Sequence, residues 1–260
     1  MRVIFFSAVA GIFGMGLGGF VSTLLLRRMS ENMICWMLSF AGGIMTSIVC
    51  FGLMPEAVEL SGVPVSISGL IFGILIIMGL NRIVDIITES KNGSLNIHST
   101  YEELYHESMI LNDPAKMIRS GVIMLIAIGL HNIPEGIAIG AGGSYDIHLG
   151  VLLMVMILVH NIPEGMAIAA PLLAGGINKN KVMLWTALSG APTLLGGAIG
   201  AMIGNISDFA VAISLSAAGG AMLYVVFGEI IPQSVVMTKN RIASLVTLLG
   251  VIVGLLITQI

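Results

Sequence analysis

A six-residue sequence, His-Asn-Ile-Pro-Glu-Gly, occurs twice in the chain, at positions 131–136 and 160–165. In an α-helix, residues three and four apart are neighbours, so the glutamate of each copy lies beside both the histidine and the asparagine. Imidazole and carboxylate suit Zn²⁺ and its first-row neighbours, and the absence of thiolates argues against a tight structural site. Two facing copies would form a histidine compartment and an asparagine compartment bridged by both glutamates. The predicted ligands are His131, Asn132, Glu135, His160, Asn161 and Glu164.

A structural explanation of the repeated sequence is also open, in which each helix holds one buried His–Glu hydrogen bond and no metal. Ionisable side chains deep in a bilayer are costly and usually mark a transport path, and the exact duplication favours a metal site. The absence of His-Glu-x-x-His argues against a metalloprotease. We therefore expect no enzymatic activity and no bound cofactor.

The helices that carry these residues belong to a membrane protein. Of the 260 residues, 57% are hydrophobic and only 10% are charged, and the mean hydropathy is +1.03. Repeated apolar runs of about 18 residues or more predict an all-α polytopic membrane protein. His131 lies twelve residues after Arg119, which is about 18 Å along a helix and so near the middle of the bilayer. A lipid bilayer is the expected surrounding, and no nucleic-acid partner is expected.

Eight apolar segments can be marked, and we expect one transmembrane domain over 1–260. The first three span 3–88, the fourth and fifth 117–174 and the last three 182–260, with a long cytoplasmic loop at 89–116. The segments are 3–26, 34–57, 63–88, 117–141, 147–174, 182–204, 209–234 and 242–260.

The positions of the basic residues predict the orientation. With both termini outside the cytoplasm, ten of the eleven lysines and arginines fall in cytoplasmic loops and only Arg2 lies outside. Such loops carry an excess of Lys and Arg, so this orientation in the plasma (inner) membrane is predicted.

A fainter repeat surrounds the central pair of segments. The sequence Ala-Gly-Gly-Ile-Met at 41–45 precedes Met54-Pro55, and Ala-Gly-Gly-Ala-Met at 218–222 precedes Ile231-Pro232 at the same spacing. The two copies run in opposite directions, which predicts an inverted repeat and a 3+2+3 arrangement of helices. Chance similarity between two Gly-rich membrane helices is the alternative.

The long loop contains His98 and His106 among acidic residues. Two interpretations stay open for it: a weak cytosolic metal-binding patch, or a solvated amphipathic helix whose first turn is capped by Ser99 or Thr100.

At the doubled His-Asn-x-Pro-Glu-Gly sequence, together with the eight segments and the long loop, the chain resembles the ZIP (Zrt/Irt-like protein) family of divalent-metal transporters, in its GufA-like branch. The resemblance implies passage of Zn²⁺, and often of Fe²⁺, Mn²⁺ or Cd²⁺, toward the cytosol. It also implies a binuclear site on the six ligands named above and a 3+2+3 fold, and it allows a homodimer.

Two positions depart from the pattern of the family. Many relatives carry a glutamate in the sixth segment where this chain has Thr193, and a histidine in the second segment where this chain keeps only the Pro-Glu-Ala that includes Glu56. The resemblance therefore leaves Glu56 as an entrance ligand and Thr193 as an auxiliary one. Glu229, toward the cytoplasmic end of the seventh segment, is either an exit ligand or a structural residue.

Two other functions remain open from the residues alone. The His and Glu pairs could relay protons in a transporter of an organic substrate, or the protein could be a membrane metal sensor that binds metal without conducting it.

Overall fold

A computed structural model of the chain describes residues 2–25, 31–88, 114–238 and 241–258, and within these ranges it consists of helices without strands. Three short π-helical segments interrupt the α-helices: π1 (Val9–Phe13), π2 (Ile48–Leu53) and π3 (Val226–Ile230). The α-helices are α1 (Arg2–Ala8), α2 (Gly14–Leu25), α3 (Glu31–Ser47), α4 (Met54–Thr88), α5 (Pro114–Tyr145), α6 (Ile147–Ala174), α7 (Lys179–Ser189), α8 (Pro192–Ile203), α9 (Asp208–Val225), α10 (Ile231–Thr238) and α11 (Ile242–Thr258).

Among the described residues, six helical stretches are long and apolar enough to cross a membrane, and α11 is a shorter apolar helix. One of the six, Cys35–Leu80, has 46 residues, about twice what one crossing needs. The helix kinks inside this stretch at Gly62, whose φ of 77° and ψ of 166° are not helical. Only glycine adopts this conformation readily. The kink lies between the second and third predicted segments, so one glycine separates them without a loop.

The segments π2 and π3 occupy equivalent positions in the fainter repeat. In each copy a proline follows two residues after the end of the π-helical segment: Pro55 after π2 and Pro232 after π3. A proline has no N–H to return to the carbonyl four residues earlier, and a π-helical turn is one way to accommodate that loss. The weak sequence similarity thus coincides with a shared irregularity of the backbone.

The helix contacts also occur in matching pairs around the central helices α5 and α6, which pack on each other. Helix α2 lies on α6 as α8 lies on α5, and α3 lies on α6 as α9 lies on α5. At the periphery, α11 packs on α3 and α4 packs on α9. Each of these contacts of the first half of the chain therefore has a counterpart in the second half.

Glycines permit very close contacts between these helices, at Gly136 and at Gly165. A β-carbon at Gly136 would run into the carbonyl oxygen of Thr193 on α8, and one at Gly165 would run into the carbonyl oxygen of Met15 on α2. The partner helices supply glycines of their own, Gly196 and Gly18 respectively. In lipid, where apolar burial gives little drive, such close backbone packing is a main source of helix association.

Replacement of Gly136 should therefore separate α5 from α8. In Gly136→Ala the new methyl group would meet the Gly197 nitrogen at 2.8 Å and the Gly196 Cα at 2.9 Å, and overpacking of this kind costs about 1–3 kcal/mol. We expect a lower unfolding temperature in detergent, measured by the loss of the monodisperse species on size-exclusion chromatography after heating.

Gly129→Ala, on the same helix, is the matched control, because the nearest atom to its β-carbon would be the Ser189 carbonyl oxygen at 3.7 Å. This variant should be as stable as the wild type or slightly more so, since alanine favours helix by up to about 1 kcal/mol. Equal stability of the two variants would contradict the close contact at Gly136.

Candidate metal centre

The six predicted ligands come together at the contact between α5 and α6, inside the protein. His131 is 4% exposed, and the other five side chains are fully buried. Both helices continue as α-helix through Pro134 and Pro163. Each proline removes one backbone hydrogen bond of its helix, and the helices that are interrupted next to the site are the flanking ones.

Each histidine faces the glutamate of the opposite helix. His131 Nε2 lies 3.3 Å from Glu164 Oε2, and His160 Nε2 lies 3.0 Å from Glu135 Oε1. The spacing of four residues placed His and Glu of the same helix on one face, but the shortest contacts run across the helix pair. The crossed arrangement ties α5 to α6 and makes each compartment depend on both helices.

The separations of these atoms suit a shared metal ion. Ligand distances of about 2.0–2.2 Å at a tetrahedral zinc separate two donor atoms by about 3.3 Å. His131, Glu135 and Glu164 each offer a ligand atom, and the three atoms lie within 4.8 Å of one another. His160 Nδ1 is 3.2 Å from the carbonyl oxygen of Met156. When the neutral ring donates Nδ1–H to this carbonyl, the lone pair of Nε2 is available to a metal ion beside Glu135.

The two asparagines are held by flanking helices in matching ways. Asn132 Nδ2 donates to the Ser189 carbonyl at 2.9 Å, and Asn161 Nδ2 donates to the Ala10 carbonyl at 3.0 Å. Because the amide nitrogen of each asparagine is engaged with a flanking helix, its Oδ1 is the atom left for a cation.

Interrupted helices make these two carbonyls available. In a regular helix the N–H of Thr193 would bond to Ser189, but here it bonds to Gly190, just before α8 begins. Similarly, the N–H of Gly14 bonds to Val9 across π1 rather than to Ala10. The breaks therefore anchor the ligands of the neighbouring central helices.

Five oxygens of the cluster are buried without a hydrogen-bond partner. Among the described residues, seven side-chain atoms are in this state, and five of them belong here: Asn132 Oδ1, Glu135 Oε2, Asn161 Oδ1, Glu164 Oε1 and Thr193 Oγ1. A buried polar group without a partner costs about 1–3 kcal/mol, and more if it is charged. Such a concentration of unpartnered oxygens has the chemistry of a cation site.

Of the auxiliary residues, Thr193 is fully buried and packs against helix α5 through its own backbone at Gly136. Glu56 is partly exposed in the first turn of α4 and is not part of the buried cluster. Its charge interacts with those of Glu59 and Asp146. Glu229 lies in π3, and its side chain is outside the described part of the structure. The loop histidines His98 and His106 also lie outside the described residues.

Sequence reasoning missed the two backbone carbonyls, at Ala10 and Ser189, that hold the asparagines. The Gly190-Ala191-Pro192 sequence was a usable signal for the break after Ser189, since proline cannot continue the hydrogen bonding of a helix. No comparable signal marks Ala10, because π1 contains no proline.

Comparisons with known proteins identify the family of the chain. A family model described as "ZIP Zinc transporter" matches residues 98–260. Proteins named "Zinc transporter ZupT" from Shigella flexneri and from Escherichia coli O127:H6 are 32% identical to the chain over 238 residues, covering 90% of this chain and 87% of theirs. The residues that the family model matches include both copies of the doubled sequence. The chain therefore belongs to the ZIP zinc transporter family.

Proposed function

We propose that this protein carries divalent transition-metal ions, chiefly Zn²⁺ and also Fe²⁺, Mn²⁺ or Cd²⁺, through the plasma membrane toward the cytosol. The cargo binds near the midplane in a site of two adjacent compartments, each able to hold a cation. The observation that carries the proposal is the crossed pair of His–Glu contacts, duplicated and buried on two membrane helices. The names of the relatives, which are zinc transporters, support zinc as the main cargo.

The charges of the site suit one divalent ion. Glu135 and Glu164 together supply two negative charges, and a divalent cation between them neutralises both. An ion leaving water pays a large desolvation cost, which such pairing offsets. The imidazole nitrogens favour binding of zinc over Mg²⁺ or Ca²⁺. A neutral imidazole adds no negative charge to the site, unlike the thiolates of tight structural zinc sites, so the cargo can still be released.

The architecture we propose is an eight-span, 3+2+3 inverted repeat. Three observations support it: the kink at Gly62, the equivalent places of π2 and π3 before their prolines, and the matching helix contacts on α5 and α6. Inverted repeats commonly hold their substrate at the repeat interface, near the midplane. Because the ligands are buried, packed helices must move before metal can enter or leave.

Metal flux into proteoliposomes tests the function. We expect uptake of Zn²⁺ in a panel of divalent ions, measured at two pH values with a fluorescent indicator inside the vesicles. Binding of zinc to the purified protein without flux would support a sensor instead. Flux of protons without any metal flux would support a proton-coupled carrier of another substrate.

Loss of either bridging carboxylate should abolish transport. In Glu135→Gln and Glu164→Gln the shape of the side chain is kept, but half of the charge that balances the cargo is removed. Changes in the outer shell of a metal site already cost about 10–100-fold in affinity, so we expect zinc flux to fall by at least that factor. Glu59→Gln is the control, because Glu59 is an exposed carboxylate on α4 and its loss should leave flux nearly intact. A folded Glu135→Gln protein with wild-type flux would refute the bridging role.

The histidine compartment should dominate transport. His131→Ala and His160→Ala each remove an imidazole that faces a carboxylate, whereas Asn132→Ala and Asn161→Ala remove a neutral oxygen that binds a transition metal weakly. We expect the histidine variants to lose more zinc flux than the asparagine variants, with protein amounts matched by size-exclusion chromatography. The reverse order would show that the asparagine compartment controls passage.

The orientation can be tested with two exposed positions in a background without Cys35 and Cys50. Tyr145 lies at the end of α5 and Asn180 at the start of α7. In the proposed architecture α6 crosses the membrane between them, and Tyr145 is on the outer face if both termini are outside. A membrane-impermeant maleimide added to intact cells should label Tyr145→Cys and spare Asn180→Cys. Labelling in the opposite pattern would invert the proposed orientation.

A further inference from the structure

The asparagine compartment differs in chemistry from the histidine compartment. Its unpartnered donors are all oxygens: two amide oxygens, one hydroxyl and one oxygen from each shared glutamate. We propose that this compartment is a binding site for sodium, a hard monovalent cation, and not for a second transition-metal ion. The inference rests on the proposed function, because it takes the histidine compartment as the cargo site.

A chain of contacts links the elements that carry the amide and hydroxyl oxygens. Asn161 is anchored on the carbonyl of Ala10, and the next residue, Gly11, faces α8 so closely that a methyl group added to it would lie 2.5 Å from Thr193 Oγ1. One helical turn before Thr193, the carbonyl of Ser189 anchors Asn132. Helices π1 and α8 thus close the side of the site where both asparagines lie.

The ligands match a hard cation. Alkali and alkaline-earth ions prefer oxygen donors, whereas imidazole suits zinc and its neighbours. Discontinuous membrane helices that meet at a midplane site are the usual setting for sodium in secondary transporters. The compartment has this setting, with the break between α7 and α8 on one side and π1 on the other.

Charge selects the monovalent ion. Glu135 and Glu164 are the acidic residues of the cluster, and one divalent cargo ion neutralises both. A second divalent ion would leave two uncompensated positive charges in the protein interior, while sodium would leave one. The electrostatic cost of burying a net charge rises with the square of that charge. The two uncompensated charges of a second divalent ion therefore cost about four times as much as the one uncompensated charge of sodium.

Thr193 controls whether the compartment takes a monovalent or a divalent ion. Among the described residues of α8, it alone supplies an unpartnered side-chain oxygen. Its hydroxyl is neutral, so it adds coordination without adding charge. A carboxylate at this position would supply the missing negative charge and make a second divalent ion acceptable. On α2 the equivalent residue is Met15: its carbonyl oxygen faces Gly165, as the carbonyl oxygen of Thr193 faces Gly136. Met15 has no oxygen in its side chain.

The test is binding of ²²Na⁺ to the purified, zinc-loaded protein by scintillation proximity, with potassium and choline as competitors. We expect saturable sodium binding that choline does not displace. Thr193→Val should weaken it by about tenfold, as for loss of a supporting ligand, and Thr193→Ser should retain it. Thr186→Val is the matched control: Thr186 is also buried on the α7–α8 side, but its hydroxyl donates to backbone carbonyls of its own helix, so this variant should bind sodium normally.

A second measurement counts zinc per chain at saturation. We expect about one tightly bound zinc in the wild type and two in Thr193→Glu, with loss of sodium binding in that variant. Two equally tight zinc ions in the wild type, or sodium binding that is absent or indifferent to Thr193→Val, would overturn the assignment. Zinc flux is read separately: a protein that binds sodium as expected but moves no zinc would defeat the proposed function and leave the sodium site standing.

Discussion

Nearly every feature of this protein follows from the cost of a polar atom that lacks a partner inside a membrane. The cluster between α5 and α6 gathers two imidazoles, two carboxylates and two amides where water is excluded. The protein satisfies some of these groups itself, through the crossed His–Glu contacts and the carbonyls of Ala10 and Ser189. One oxygen of each glutamate and of each asparagine has no hydrogen-bond partner, and under the proposed function these oxygens are available to the cargo.

The same cost explains why the flanking helices are interrupted. A regular helix uses all of its interior carbonyls, so it has none to offer to a neighbouring side chain. By skipping one bond at π1 and one before α8, the chain releases a carbonyl on each side of the site. Each released carbonyl then accepts a hydrogen bond from an asparagine, whose amide oxygen is left without a hydrogen-bond partner. Both carbonyls belong to buried residues, Ala10 and Ser189, as expected for irregular backbone inside a membrane protein.

Close packing of glycine-bearing helices holds this arrangement together. Gly136 and Gly165, which follow the two glutamates directly, are covered by the backbones of α8 and α2. The predicted ligands are therefore fixed by main-chain contacts immediately beside them. The matching contacts place Thr193 of α8 and Met15 of α2 in equivalent positions. Only the threonine offers a side-chain oxygen, and the chemistry that we propose for the asparagine compartment uses this oxygen.

The sequence by itself determined a large part of this description. The duplicated His-Asn-Ile-Pro-Glu-Gly predicted six residues that the structure buries together, because ionisable residues at that depth usually face a cavity and partner something. The apolar runs predicted the helical membrane class. The partner of each side chain could not be predicted, since the spacing within one helix shows which residues share a face but not which residue faces them from another helix. Only the tertiary structure paired His131 with Glu164 and His160 with Glu135, kept α5 and α6 unbroken at their prolines, and placed Ala10 and Ser189 against the asparagines. These contacts join residues up to 151 positions apart, and they depend on how whole helices pack, which no local pattern encodes.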